Sequence, residues 1–144
     1  MTAPTTPTTI PIDDGTAQEL SERLADVFRT GNVSDVLADD MFLDGHPPLW
    51  RFQLQGLDAF SAWLAGYTPD GAETTVVRTI PTATGFVSEF VGRHDENGND
   101  LTDRKILLCE VRGGQVSELT VYCSGDWDAE LRARHAAEAP IIRP

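Results

Sequence analysis

The fold is decided by residues 100–127, "DLTDRKILLCEVRGGQVSELTVYCSGDW". Two apolar, β-branched runs flank the glycine pair, which is typical of two strands joined by a tight turn. If "RGGQ" forms that turn, Cys109 lies opposite Glu118 and Cys123 lies opposite Arg104. We therefore expect an antiparallel hairpin with two free, buried thiols, because a disulfide between them would need another register.

Two further strand-like runs precede this hairpin. They are "AETTVVRTIPTA" (72–83) and "GFVSEFVGRHD" (85–95), bounded by "TG" and by the turn-forming stretch "ENGND". Alternating or continuous apolar residues between such turn signals indicate strands. Together with the hairpin they predict four antiparallel strands in sequence.

The first half of the chain has helical periodicity instead. In "TAQELSERLADVFRTG" (16–31), Leu20, Leu24, Val27 and Phe28 share one face and the glycine ends the helix. We also predict a short helix over "NVSDVLADD" (32–40), a short strand over "MFLDGHPP" (41–48) and a third helix over "GLDAFSAWLAGY" (56–67). A terminal helix, with Asp126 as a possible cap, ends at Pro140. This order predicts an α+β fold with helices on one face of a curved sheet.

Size and charge limit the function. The 144 residues suit one domain, predicted over 13–144 with its C-terminal helix, after a flexible Thr- and Pro-rich tail at 1–12. The net charge of −12 disfavours nucleic acid and anionic membrane as partners. No apolar run approaches the ~20 residues of a membrane span, and the first residues do not resemble a signal peptide. We expect a cytoplasmic protein.

Three motifs and the order of elements resemble a known family. "GLDAF" (56–60), "GRH" (92–94) and "GQVSELTVY" (114–122) are similar to the SnoaL-like branch of the nuclear transport factor 2-like superfamily, over about Thr16 to Asp128. The resemblance implies a cone, in which a curved, mixed, mainly antiparallel sheet wraps around a long helix and an apolar pocket. It also implies a homodimer. The outer sheet face expected to form that contact carries Lys105, Leu107, Cys109, Glu118, Thr120 and Tyr122.

The superfamily contains several chemistries, so the resemblance alone fixes none. Its epoxide hydrolases use an Arg-x-Asp pair and a further aspartate, and Phe90, Gly92 and Val121 stand at those positions here. Its polyketide cyclases use an aspartate on the final strand, where Val121 and its neighbours supply none. Neither mechanism transfers directly to this chain.

Strand alternation predicts the pocket lining. If Phe90 and Val121 face the cone, one residue in two on each strand shares that face. The predicted ligand-binding residues on the strands are Phe86, Ser88, Phe90, Leu108, Val121 and Cys123. Aromatic residues expected near the pocket mouth are Trp50, Phe52, Trp63 and Tyr67. A filled core would have the same composition as a ligand pocket.

Four residues are candidates for catalysis. His46 titrates near neutral pH, and Asp44, two residues earlier on the same strand face, could orient it. His94 ends a strand in the family-like "GRH", and Arg104 could bind an enolate or carboxylate. The alternatives are a loop histidine that ends a strand for His46, a solvated hairpin histidine for His94 and a surface ion pair for Arg104.

We therefore expect a cofactor-independent enzyme of secondary metabolism. It would perform acid–base chemistry, namely cyclisation, isomerisation or dehydration, on a hydrophobic, oxygenated, polyketide-like molecule. The alternative is a non-catalytic ligand-binding or dimerisation module. No metal site is predicted, since the three histidines form no i, i+4 pair and the chain has no Cys-x-x-Cys.

Overall fold

The computed structural model describes residues 11–33, 35–67 and 72–143. Its elements are α1 (Asp14–Thr30), β1 (Leu37–His46), β2 (Phe52–Gln55), α2 (Leu57–Tyr67), β3 (Glu73–Pro81), β4 (Gly85–Glu96), β5 (Asn99–Arg112), β6 (Gln115–Cys123) and α3 (Ala129–Glu138). The six strands form one sheet in the order β2-β1-β6-β5-β4-β3. All neighbours are antiparallel except β1 and β6, which run parallel. The predicted α+β class and mainly antiparallel sheet are confirmed.

Helix α1 forms where the periodicity predicted it. Asp13 caps its first turn by accepting a hydrogen bond from the Thr16 backbone N–H at 2.7 Å, and Gly31 ends it with φ of 75°. Its apolar face lies against β3 and β4, where Phe28 meets Phe90 edge to face at 6.2 Å. This packing places α1 on the concave side of the sheet and fills part of the cone.

The predicted helix over residues 32–40 is wrong. Ser34 lies outside the described residues, a turn covers residues 35 and 36, and β1 begins at Leu37. Parallel pairing with β6 overrides the local helical pattern, because the Val36 carbonyl accepts a hydrogen bond from Val116 at 2.8 Å and Leu37 pairs with Val116. The sheet thereby gains a ten-residue strand in place of the short one expected.

The hairpin of β5 and β6 contains a bulge that the sequence did not reveal. The turn pairs Arg112 with Gln115 as predicted, but the register shifts between Glu110 and Val111. Beyond that shift Cys109 pairs with Leu119, and Lys105 pairs with Cys123. The predicted partners of both cysteines are therefore wrong by one residue. The prediction that the thiols are free is confirmed.

This register reverses which side chains of β5 face inward. Leu107 and Cys109 are buried on the concave face, while Ile106 and Leu108 are exposed on the convex face. The inward residues predicted for β5 are wrong, because that prediction aligned β5 with β6 through a hairpin without a bulge. Lys105, Leu107 and Cys109 consequently lie inside the cone and do not belong to the outer surface.

Two smaller differences affect the site. The segment that follows His46 contains a strand, β2, that the sequence did not predict. This strand pairs with β1 at the edge of the sheet. Helix α3 is capped by Asp128, whose side chain accepts a hydrogen bond from Leu131 at 2.8 Å. Asp126 is therefore not the helix cap that the sequence suggested. No helix among the described residues is long and apolar enough to cross a membrane.

Candidate active site

A cavity of about 320 Å³ lies in the cone between α1, α2 and the concave face of the sheet. Its walls come from both helices, from β1, β2, β5 and β6, and from the loops that follow β1 and β6. The lining residues are Phe28, Leu43, Gly45, His46, Pro47, Trp50, Phe52, Phe60, Trp63, Tyr67, Lys105, Val121, Cys123, Gly125 and Asp126. Such a volume is at the lower end of the range for small-molecule sites. The cone is open to a ligand and is not filled by side chains.

Aromatic rings form one wall of this cavity. Trp63 stacks on Tyr67 at 5.0 Å between ring centroids, and it also contacts Phe52 at 5.4 Å and Phe60 at 5.7 Å. Helical spacing on α2 brings Phe60, Trp63 and Tyr67 together on one face. The rigid, apolar wall is suited to a flat, ring-bearing ligand. Trp50 lies at the mouth and is 73% exposed.

The polar groups of the cavity surround Lys105. Its Nζ forms an ion pair with Asp103 and lies 5.8 Å from the ring centre of Phe28 and 5.6 Å from that of Tyr67. The Tyr67 hydroxyl donates a hydrogen bond to the same Asp103 oxygen at 3.3 Å. The Lys105 side chain is only 11% exposed and that of Asp103 only 2%. A buried ammonium, hydroxyl and carboxylate thus adjoin an otherwise apolar cavity.

Gly92 makes room for the Asp103 carboxylate. The two residues are paired across β4 and β5, and a Cβ at position 92 would overlap the carboxylate. The second carboxylate oxygen, Oδ1, is buried and has no hydrogen-bond partner in the described part of the chain. Asp103 therefore keeps accepting capacity beyond its bonds to Lys105 and Tyr67.

Burial determines how the other polar groups of the cavity ionise. Burial and the neighbouring Asp103 charge raise the pKa of Tyr67, which stays a neutral hydrogen-bond donor. Burial also raises the pKa of the Cys123 thiol, so a thiolate nucleophile is disfavoured. The pKa of Asp126 is raised, chiefly by burial, although the nearby His94 opposes that shift. Asp126 is thus a carboxylate with increased basicity at the cavity wall.

The structure brings His46 and Asp44 together, but on the convex face. His46 pairs with Tyr122 across β1 and β6 and stacks on its ring at 4.4 Å, while its Nε2 lies 3.2 Å from Asp44. Arg51 binds both oxygens of Asp44 and is the main reason its pKa is lowered to about 2. His46 borders the cavity mouth, yet its ring and its carboxylate partner belong to the outer surface.

The prediction that Arg104 and Leu108 face the cone is wrong. The register shift in the hairpin turns both toward the convex face, where Leu108 is exposed and Arg104 is paired with Glu89 at 3.1 Å. Glu89 also accepts a hydrogen bond from Arg78 at 3.2 Å. Arg104 is therefore the surface ion pair that the sequence left as its alternative.

His94 lies at the end of the concave face, away from the main cavity. It borders a smaller cavity of about 20 Å³ that also touches Tyr67, Asp103 and Lys105. The possible ligand atoms of His94, Glu96 and Asp126 all lie within 4.8 Å of one another. Among the described residues, these three have the spacing to hold a metal ion, but Glu96 and Asp126 are both exposed. We interpret it as a charged cluster beside the hairpin turn.

Three predicted ligand-binding residues are core residues instead. Phe86 and Phe90 face the cone as expected but are buried in its packed part. The Ser88 hydroxyl is bonded to Ser21 at 2.6 Å and to Thr79 at 3.2 Å, so it ties α1 to the sheet. Residues Trp50, Phe52, Trp63, Tyr67, Val121 and Cys123 do line the cavity.

Sequence reasoning missed Lys105 and Asp103 as groups of the cavity, because the register without the bulge assigns Lys105 to the outer face. Asp126, a possible helix cap in the sequence, lines the cavity instead. One signal could have identified the site. Of the 11 Lys and Arg residues in the chain, Lys105 is the only lysine.

Solved structures share the fold of this chain. A protein assigned as a SnoaL-like polyketide cyclase from Jannaschia sp. CCS1 superposes with a TM-score of 0.63 at 14% identity, over 97% of this chain and 100% of that one. An NTF2-like protein of unknown function from Mesorhizobium loti has a TM-score of 0.59 at 19% identity, over 81% and 99% of the two chains. No protein-family model matches the sequence, and no curated protein matches it significantly.

Chemistry differs among these similar structures. An LEH-like epoxide hydrolase of M. tuberculosis has a TM-score of 0.62 at 14% identity, over 76% of this chain and 79% of that one. Identity at this level establishes a common fold and leaves the reaction open. The chain therefore has the NTF2-like cone fold that its motifs and element order predicted.

Proposed function

We propose that the chain binds an apolar, ring-bearing carbonyl compound in the cone and catalyses proton transfer beside that carbonyl. One observation carries the proposal: the apolar cavity of about 320 Å³ has a buried ammonium and hydroxyl at one end, beside a carboxylate. Apolar sites with a few converging polar groups are typical of small-molecule binding. The reaction class is cofactor-independent isomerisation, cyclisation or dehydration.

The ligand would enter past Trp50 and lie along the aromatic wall. Trp63 and Phe52 would contact its rings, since stacked and tilted aromatic pairs of this kind add to the free energy of apolar burial. Its oxygen would point toward Lys105, which is the only Lys or Arg among the lining residues. The positive charge of Lys105 would attract the partial negative charge of the carbonyl oxygen and so orient the ligand.

Lys105 and Tyr67 supply the electrophilic half of the chemistry. When a proton leaves the carbon next to a carbonyl, negative charge develops on the oxygen. The ammonium fixed by Asp103 has further N–H bonds with which to stabilise that charge. Tyr67 would add a second donor by moving its hydroxyl proton from Asp103 to the ligand oxygen.

Asp126 supplies the base. It lines the same cavity while its residue remains exposed, and the charges of Asp103 and Lys105 act on its pKa in opposite directions. Because its pKa is raised, Asp126 is a stronger base than an unperturbed aspartate. It could return the proton to another carbon, which would complete an isomerisation.

The test is turnover of a panel of cyclic enones and aromatic polyketide-like ketones by variants of the full chain. Asp126→Asn should retain binding and lose about 10²- to 10⁴-fold in kcat. Lys105→Met should lose both turnover and part of the binding. Arg112→Met is the matched control, since it removes an exposed cation that does not line the cavity and should leave both unchanged. Binding without turnover in the parent chain would favour the non-catalytic binding module instead.

We also propose that the convex face joins two copies of the chain. Ile106 and Leu108 are exposed there between Arg104 and Glu110 of the same strand. Glu110 stands directly opposite Glu118, an unfavourable pair within one copy. A twofold arrangement would bring Arg104 of one copy, beside its partner Glu89, toward Glu110 and Glu118 of the other. Charge complementarity of this kind fixes the register of an interface.

A further inference from the structure

The distribution of cations in the chain is unusual. Ten of the 11 basic residues are arginines, and the single lysine, Lys105, is buried at the cavity. An arginine would bind the Asp103 carboxylate in two-point geometry and would serve as well for a purely structural ion pair. What lysine offers and arginine does not is an amine that can lose its proton and attack carbon.

The surroundings of Lys105 supply both a proton acceptor and a proton donor for such an amine. Asp103 contacts its Nζ and can accept a proton, and the carboxylate still has one oxygen without a hydrogen-bond partner in the described chain. The Tyr67 hydroxyl is 3.3 Å from the other oxygen, so a proton donor lies beside the pair. The rings of Phe28 and Tyr67 lie 5.8 Å and 5.6 Å from Nζ and give the amine an aromatic surrounding.

We propose that Lys105 forms a Schiff base with an aldehyde or ketone bound in the cavity. The proposal rests on the proposed function, because it takes the same ligand class at the same site. In the Schiff base, a covalent bond between Lys105 Nζ and the carbonyl carbon takes the place of a hydrogen bond from Nζ to the carbonyl oxygen. The positively charged imine would then withdraw electrons from the adjacent carbon, from which Asp126 removes a proton.

The step balances without an added reactant. Lys105 transfers one proton to Asp103, and the free Nζ electron pair forms a bond to the carbonyl carbon while the C=O π pair moves to oxygen. That oxygen takes the proton from Asp103, and a second proton from nitrogen moves to it through the same carboxylate. The C–O bond then breaks, water leaves, and the nitrogen pair forms the iminium. Ammonium and carbonyl have become iminium and water.

The single lysine makes the experiment unambiguous. The full chain is incubated with sodium borohydride and either cinnamaldehyde or 2-cyclohexenone, and the intact mass is measured. Trapping adds the mass of the ligand less one oxygen atom. Apart from Lys105, the only primary amine is the amino terminus, and peptide mapping separates the two. We expect at least about tenfold more adduct at Lys105 than at the terminus, because the cavity holds amine and carbonyl together.

Lys105→Arg is the decisive variant, since it keeps the positive charge and removes the amine. The Lys105 adduct should vanish in it, while labelling of the terminus stays unchanged and thermal unfolding shows that the variant is folded. One outcome is that Lys105→Arg binds and turns over a carbonyl ligand, while the parent chain gives no trapped adduct. That outcome refutes the Schiff base and leaves the proposed function standing. Trapping without any turnover would support the Schiff base and refute the acid–base enzyme. If no carbonyl compound binds or is trapped, both fail.

Discussion

Removing the carboxylate beneath Lys105 should destabilise the protein strongly. In Asp103→Asn the ammonium keeps its place, 11% exposed, but loses the charge that balances it. Breaking one partner of a buried ion pair costs about 3–5 kcal/mol, because the remaining charge stays desolvated. For a chain of 144 residues this corresponds to a fall in Tm of roughly 10–20 °C.

The same reasoning predicts that the two single losses do not add. Lys105→Met leaves the Asp103 carboxylate buried without its cation and should cost a similar amount. In the double variant neither charge remains, so its loss should be smaller than the sum of the single losses by about 3 kcal/mol. The free energies come from urea unfolding of all four chains, monitored by tryptophan fluorescence.

An exposed ion pair provides the matched control. Arg112 and Asp40 are in contact, but their side chains are 62% and 68% exposed. The cycle of Arg112→Met and Asp40→Asn should give a coupling of at most about 1 kcal/mol. Coupling within about 0.5 kcal/mol of zero for Asp103 and Lys105 would refute the account of a buried, mutually dependent pair.

Three further predictions concern the rest of the molecule. The pKa of Asp44 is lowered to about 2, so its ionised form stabilises the fold at pH values above the ordinary aspartate pKa. That stabilisation is lost as the pH falls toward 2. Arg51→Gln removes the main cause of the lowered pKa and should therefore make the decrease in Tm between pH 5 and pH 2 smaller. Ser88→Ala should cost about 1 kcal/mol through its lost bond to Ser21 and leave ligand affinity unchanged, whereas weaker binding would restore Ser88 to the site. Leu108→Glu should convert a dimer to a monomer in sedimentation velocity, and a parent chain that is monomeric at high concentration would contradict the proposed interface.

Much of the fold could be predicted from local patterns. The amphipathic face of α1 and its glycine end, the helix after Gly56 and the hairpin with its RGG turn all follow from residue spacing and turn chemistry. Strand β1 could not be found in this way. Its partner β6 lies 76–79 residues further along the chain, and this long-range pairing overrode a short stretch with helical spacing.

The candidate site was harder to predict, because an error of one residue in strand register reverses the inward or outward direction of every side chain along that strand. The aromatic wall was found, since Trp63 and Tyr67 lie on a helix whose periodicity has no bulges. On β5, one shifted pair near the turn exchanged Arg104 for Lys105 as the inward cation. The sequence favours Asp126 as the cap of the last helix, but Asp128 takes that role and leaves Asp126 at the cavity.

The central claim is that the polar end of the cavity binds the oxygen of an apolar carbonyl ligand. The most direct test is a crystal structure of the chain soaked with 2-cyclohexenone or a larger aromatic ketone. The account predicts density against the aromatic wall with the carbonyl carbon or oxygen within bonding reach of Lys105 Nζ. A ligand bound with its oxygen turned toward Trp50 and the solvent, or a cavity that stays empty at saturating concentration, would contradict it.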